Sequence, residues 1–254
     1  MTRCRWEQGD GRGSFPSAAA GSTAVRTSPL SRLPIAAVLA IILGAPAAAQ
    51  VGHDPEHSPF RDIRKGSALS FGLGWFAGDA GTLEIGPTGG PTATGRFELS
   101  LGGPTMVTIG ASVARLERTV LDPFPDTLPP RSGPFDTEIL MFDLGLQLRL
   151  TGQKSYHRVA PYLGAAMGLA FDLSGPSDPG GYTFGTKFTI APGGGIRVYP
   201  GRHLSLTADF RLLFWRLNYP LGYQAGATPL LDPGASTTDW TTHPWTTVGV
   251  AWTF

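Results

Sequence analysis

The chain has 254 residues, a formal net charge of +1, 35 glycines, 23 prolines and only 15% charged residues, a composition unlike that of a water-facing globular surface. Lysine occurs only as Lys65, Lys154 and Lys187, although exposed sheets use it freely on solvent faces and edges. This near balance of charge supplies no basic surface and argues against a nucleic-acid partner.

At the start, Arg26 and Arg32 precede an apolar run from Ile35 to Leu43 and the small-residue stretch APAAAQ, the three regions of a secretory signal. Residues 1–49 read as a signal peptide with an extended leader, cleaved after Ala49. The apolar run is too short for a spanning helix. Cys4, the single cysteine, lies upstream of that run, so it is no lipid acceptor, and the exported chain has neither disulfides nor thiol chemistry. Removal of the leader takes away five basic and two acidic groups and leaves a net charge of −2. Residues 50–65 are polar and aperiodic and read as a flexible N-terminal tail. Within it His53, Asp54, Glu56 and His57 have donor atoms for a metal, but no second ligand cluster accompanies them, and no metal or cofactor is expected.

From Gly66 to the end, eight segments alternate apolar and small or polar residues with a period of two, each bounded by Gly, Pro, Asn or Asp, the pattern of strands. Residues 66–254 therefore read as one all-β domain. The first strand sets Leu69, Phe71, Leu73 and Trp75 against Ser70, Gly72 and Gly74; the second sets Phe97, Leu99 and Leu101 against Arg96, Glu98 and Ser100. The third carries Val107, Ile109, Ala111 and Val113. The fourth runs Leu140, Phe142, Leu144, Leu146, Leu148 and Leu150 against Met141, Asp143, Gly145, Gln147 and Arg149. Leu163 to Phe171 and Phe188 to Val198 form the fifth and sixth, with Gly193 and Gly195 inside the latter. The seventh pairs Leu204, Leu206, Phe210, Leu212 and Phe214 with Ser205, Thr207, Asp209 and Arg211. The eighth ends the chain with Val248, Val250, Trp252 and Phe254.

Connections decide the architecture. GGPT, TGQKSYHR and PGR are short, whereas GDAGTLEIGPTGGPTAT, LDPFPDTLPPRSGPFD, SGPSDPGGYTF and the run from Tyr219 to Pro244 are long, and the two kinds alternate. Transmembrane barrels show this asymmetry, with short periplasmic turns and long outer loops. The expected fold is an eight-stranded antiparallel up-and-down transmembrane β-barrel. A soluble lipocalin-like barrel is the structural alternative, with the same strands and opposite faces.

Three features turn the leucine face toward lipid: a polar face built from Gly, Ala, Ser and Thr that suits a narrow interior, the export signal, and the terminal VGVAWTF. That ending resembles the C-terminal assembly signal of outer-membrane barrels, carried by Val248, Val250, Trp252 and Phe254. APYLGAAMGLAF (Ala160 to Phe171) and GGGIRVYPGRHLSLTADFRLLF (Gly193 to Phe214) resemble two-strand signatures of small OmpA-like or OmpW-like outer-membrane β-barrel domains, over roughly Gly66 to Phe254. The resemblance implies a porin-like cell-envelope protein in the bacterial outer membrane with both termini periplasmic. Its implied partners are outer-membrane lipid and lipopolysaccharide, the barrel assembly machinery, and an extracellular ligand held by the long loops. Trp75, Tyr199, Trp215, Tyr219, Trp245 and Trp252 are expected in interfacial girdles.

The candidate functional residues are the inward charges Arg96, Glu98, Asp143, Arg149, Arg197, Asp209 and Arg211. Unpaired charges in a narrow lumen are costly, so three acids and four arginines predict a salt-bridge network that fills the barrel. Asp143, Asp209 and Arg211 are expected at comparable depth. The leading function is structural or surface interaction without catalysis. A small-solute channel is the first alternative and a lipid-modifying enzyme the second, the latter from His203 and Ser205, which reproduce the His-x-Ser spacing of outer-membrane deacylases but lie beside a short turn.

Overall fold

A computed structural model describes residues 58–64, 66–123, 131–176, 178–224, 230–232 and 234–254. The leader and the His53 cluster lie outside the described residues. Among the described residues ten strands form, in chain order: β1 (Phe60–Asp62), β2 (Ser67–Phe76), β3 (Gly90–Gly102), β4 (Thr105–Leu121), β5 (Arg131–Arg149), β6 (Lys154–Tyr156), β7 (Val159–Asp172), β8 (Thr186–Val198), β9 (Leu204–Asn218) and β10 (Thr238–Thr253). Eight of them close a ring, β2–β3–β4–β5–β7–β8–β9–β10, in which every neighbour is antiparallel and β10 pairs back to β2. Closure removes the sheet edges that a lysine-poor chain could not protect. The last link ties the two ends of the barrel sequence, with Ala68 opposite Thr253 and Phe254 N–H bonded to the Ser67 carbonyl at 2.9 Å.

The leucine face is outside. Phe142, Leu144, Leu146, Leu148 and Leu150 are exposed, while Met141, Gln147 and Arg149 are buried. Period-two alternation enforces this around the whole ring: Phe71 and Leu73 on β2, Leu163 and Met167 on β7, Phe188 and Ile190 on β8, and Val248, Val250 and Trp252 on β10 also point outward. The outward run from Leu140 on β5 to Leu150 just after it has the length of a tilted spanning strand, about 9–11 residues.

All three tight connections and the ends of the ring lie on one side, and the long loops on the other. Gly102 and Gly103 turn β3 into β4 with φ of +106° and +59°, values that side chains with a Cβ rarely adopt.

Several strands are longer than their alternation suggests. β3 begins at Gly90, within the expected first long loop, because Thr92 and Thr94 point in and Ala93 points out with little hydropathy contrast between them. β4 and β5 run above the apolar belt, where the outward face turns polar while Ala114, Leu116, Val120 and Ile139 point inward; there Arg115 Nε donates to Glu138 Oε1 at 3.0 Å across the pair. β10 starts at Thr238 rather than after Pro244. The described part of the expected flexible tail is also structured. Phe60–Asp62 pairs with Lys154–Tyr156, and Ile63 is buried and bonds through its N–H to the Gln153 carbonyl at 3.0 Å. The polar composition of the tail concealed a strand that needs a partner edge rather than a face of its own.

Candidate functional site

Inside the barrel the small residues of the inner face leave room for long charged ones. A Cβ on Gly195 would lie 2.7 Å from the Tyr162 phenol oxygen, so glycine in β8 is what admits Tyr162 from β7. All seven inward charges project into the lumen, and six of them are buried, Asp143 being only slightly more open.

Three ion pairs cross the lumen. Arg197 on β8 reaches Glu98 on β3, half the ring away, with Nη2 donating to Oε1 at 2.7 Å and Nη1 lying 2.7 Å from Oε2. Arg96 Nη1 on β3 approaches Asp209 Oδ1 on β9 at 3.6 Å, and Arg211 Nη1 on β9 approaches Asp143 Oδ1 on β5 at 3.6 Å. Tyr162 O–H also donates to Asp209 Oδ1. Arg149 forms no ion pair among the described residues. Of the three residues expected at comparable depth, Asp143 pairs with Arg211, whereas Asp209 pairs with Arg96 and Tyr162 and shares a small cavity with Arg211. Register and shear decide which acid meets which base, and alternation carries no register.

Between these pairs little space remains. A cavity of about 20 Å³ lies beside Tyr162, Gln147, Asp209 and Arg211, and one of about 10 Å³ beside Ser70, Arg96 and Asp209. Each is the scale of about one water molecule.

Toward the long loops the interior changes character. Arg211 lies over the Trp245 ring at 5.5 Å, and Trp245 Nε1 donates to Thr92 Oγ1 at 3.0 Å. Above it Phe76 stacks on His243 at 5.0 Å, and Trp215 packs against His243 at 4.3 Å and Phe184 at 5.1 Å. Loop residues Ile85, Tyr182, Tyr223 and Leu231 bury themselves in the same core. Arg118 sits over the Tyr182 ring at 5.1 Å and donates to the Pro176 carbonyl at 3.0 Å. Asp178 accepts from Gly180 N–H at 2.9 Å and Tyr223 O–H at 3.2 Å. Burial pushes the Asp178 carboxyl above its ordinary value despite those donors and the nearby Arg118. Tyr219, donating to Asp239 Oδ2 at 3.3 Å, is pushed up to about 12, chiefly by burial and then by that carboxylate.

This aromatic cap corrects the girdle expectation. Trp75 and Trp252 are exposed, but Trp215, Trp245 and Tyr219 are inside and Tyr199 is half-buried. The run Leu212, Leu213, Phe214, Trp215 held the signal: where alternation gives way to unbroken apolarity, the inner face is apolar as well as the outer, with Leu213 and Trp215 buried. Arg118, Lys187 and His243, also buried, stand on strand ends that sequence alternation left as loop or did not reach.

His203 and Ser205 do not engage each other. His203 Nδ1 bonds the Thr253 carbonyl at 2.9 Å and Nε2 lies 2.7 Å from Arg64 Nη1, whereas Ser205 Oγ is buried without a partner among the described residues.

No protein-family model matches the chain, and no curated protein does. Solved structures similar to it include Neisserial surface protein A (TM-score 0.48, 14% identity, 78% of this chain and 98% of that one). They also include the outer membrane protein OprG from Pseudomonas aeruginosa (0.47, 12%, 76% and 98%). A third is the N-terminal β-barrel domain of Pseudomonas aeruginosa OprF (0.39, 12%, 75% and 98%). The ring of hydrogen bonds, independent of these likenesses, makes the molecule an eight-stranded barrel.

Proposed function

We propose that the protein is an integral barrel of the bacterial outer membrane with a structural or surface-interaction role, its lumen closed by the crossing ion pairs and the aromatic cap. One observation carries the membrane reading: an unbroken outward belt of large apolar side chains around a buried polar interior. In a soluble barrel those faces would be exchanged, and exposed apolar patches of this extent do not persist in water. Among the described residues no helix is long and apolar enough to cross a membrane, so the crossing falls to the strands. In this reading the tight turns and both ends of the ring face the periplasm, the loops face outward, and a surface partner meets the loops. Val248, Val250, Trp252 and Phe254 act as the assembly signal; removing Phe254 lowers the amount inserted without lowering export, and unchanged insertion would refute that role.

The test of the membrane reading is folding into detergent micelles or lipid vesicles followed by electrophoresis with and without boiling. A membrane barrel migrates differently before heating. Identical mobility, together with folding in buffer that lacks detergent, would contradict it.

A further inference from the structure

At the end of the barrel that bears the tight turns, a cavity of about 740 Å³ opens between the N-terminal strand and the turns following β6 and β8. Arg61, Arg64, Arg158 and Arg202 line it, all exposed, with Asp62 the single lining carboxylate among the described residues. None of the four arginines forms an ion pair among the described residues. Among the described residues that line the cavity, one carboxylate faces four guanidiniums.

The arrangement is held from several directions. The β1–β6 ladder fixes Arg61 opposite Ser155, and His157 N–H bonds the Pro59 carbonyl at 2.9 Å. Arg64 is steadied by His203, whose ring stacks on Trp252 at 5.4 Å between centroids. Arg158 Nη1 donates to the Pro200 carbonyl at 3.3 Å. His157 and Arg158 adopt φ of +46° and +69°, a left-handed conformation uncommon outside glycine whose strain tends to collect at functional positions.

Four guanidiniums are donors only, and arginine forks match tetrahedral oxyanions with several acceptors. One bound carboxylate would leave two or more of these forks unused. We propose that this cavity binds a phosphate-bearing anion. The exposed apolar side chains Phe60, Leu150, Tyr156, Leu204 and Trp252 lie at this same end, so the belt stops beside the arginines, at the level where anionic headgroups attract basic side chains. The headgroup of an acidic phospholipid is one source of the phosphate, and a free phosphate is the other. The lipid source rests on the membrane reading above; phosphate binding as such does not.

Full-length protein, folded in detergent and stripped of lipid, is offered phosphatidylglycerol, phosphatidylcholine of the same chains, and inorganic phosphate, with binding counted by native mass spectrometry and by the rise in melting temperature. Retention of phosphatidylglycerol over phosphatidylcholine assigns the headgroup, and a melting shift with inorganic phosphate assigns the free ion; either supports the proposal. Arg64→Gln, Arg158→Gln and Arg202→Gln together weaken binding about a hundredfold, about fivefold for each. Arg216→Gln, an exposed arginine at the opposite end, leaves it unchanged. Arg202→Gln, in an exposed turn, gives the single-residue effect if the triple variant does not fold. Binding of neither probe, or binding insensitive to the three substitutions, or equal loss with Arg216→Gln, overturns the proposal. A heat-dependent mobility shift measured on the same samples reports the barrel separately, so loss of anion binding with the shift retained rejects only the anion site.

Discussion

Arg197 and Glu98, from strands on opposite sides of the ring, meet in the lumen with Nη2 bonded to Oε1 at 2.7 Å. A pair that spans the interior ties the two halves of the barrel together and occupies the space between them. Both side chains are almost fully buried, so removal of one partner strands a charge. Arg197→Ala is expected to cost about 3–5 kcal/mol, whereas Glu98→Gln with Arg197→Met, which removes both charges, costs much less. Urea unfolding in lipid vesicles measures both, and equal losses in the two variants would show that the pair acts only through packing.

The apolar belt gives a prediction at single positions. Leu144 and Leu146 are exposed near the middle of the apolar run from Leu140 to Leu150. Leu144→Arg should lose about 2–4 kcal/mol, the cost of a cation at the bilayer midplane of a barrel, and Leu144→Phe little. A tolerated arginine in vesicle-folded protein would place that surface in water.

How much of this was legible in the sequence differs along the strands. From Leu140 to Leu150 both the strand and its outward face could be read, because one face is all large apolar residues and the other is not. The inward direction of Arg96, Glu98, Asp143, Arg149, Arg197, Asp209 and Arg211 followed from the same period. Their partners did not: Asp209 meets Arg96 and Tyr162, and Asp143 meets Arg211, contacts set by stagger between strands remote in sequence. The aromatic cap escaped for another reason. Trp215 and Trp245 stand where the inner face turns apolar under the loops, and a tryptophan near a strand end looks the same whether it faces lipid or the interior. Thr92 and Thr94, flanked by Pro91, Ala93 and Gly95, gave too little contrast to mark the start of the strand that contains them.

Orientation is checked by placing cysteines at two open positions. Gly222 and Gly201 have no atoms within 4 Å of an added Cβ, so neither substitution disturbs packing. Gly222→Cys, in the loop after β9, should react with a membrane-impermeant thiol reagent on intact cells, and Gly201→Cys, in the turn after β8, only after lysis. The opposite pattern would invert the topology.

Asp178 gives the cap a pH dependence. Its carboxyl is raised by burial, so the folded protein holds that proton more tightly than the unfolded chain. The contribution is fully present below the ordinary aspartate pKa and is lost as pH rises through the raised value. Relative to the wild type, Asp178→Asn should therefore gain urea resistance between about pH 3 and about pH 7. A difference that does not change with pH would mean that Asp178 titrates normally in the fold.

The closed lumen is the central claim, and conductance of the purified wild-type protein in planar lipid bilayers tests it most directly. Three ion pairs cross the interior, the spaces between them hold about one water each, and the aromatic cap covers the loop end. Little or no steady current is expected from protein whose insertion is verified by its heat-dependent mobility. A large, stable, ion-selective conductance from the same preparation would contradict the plug and make the lumen a channel.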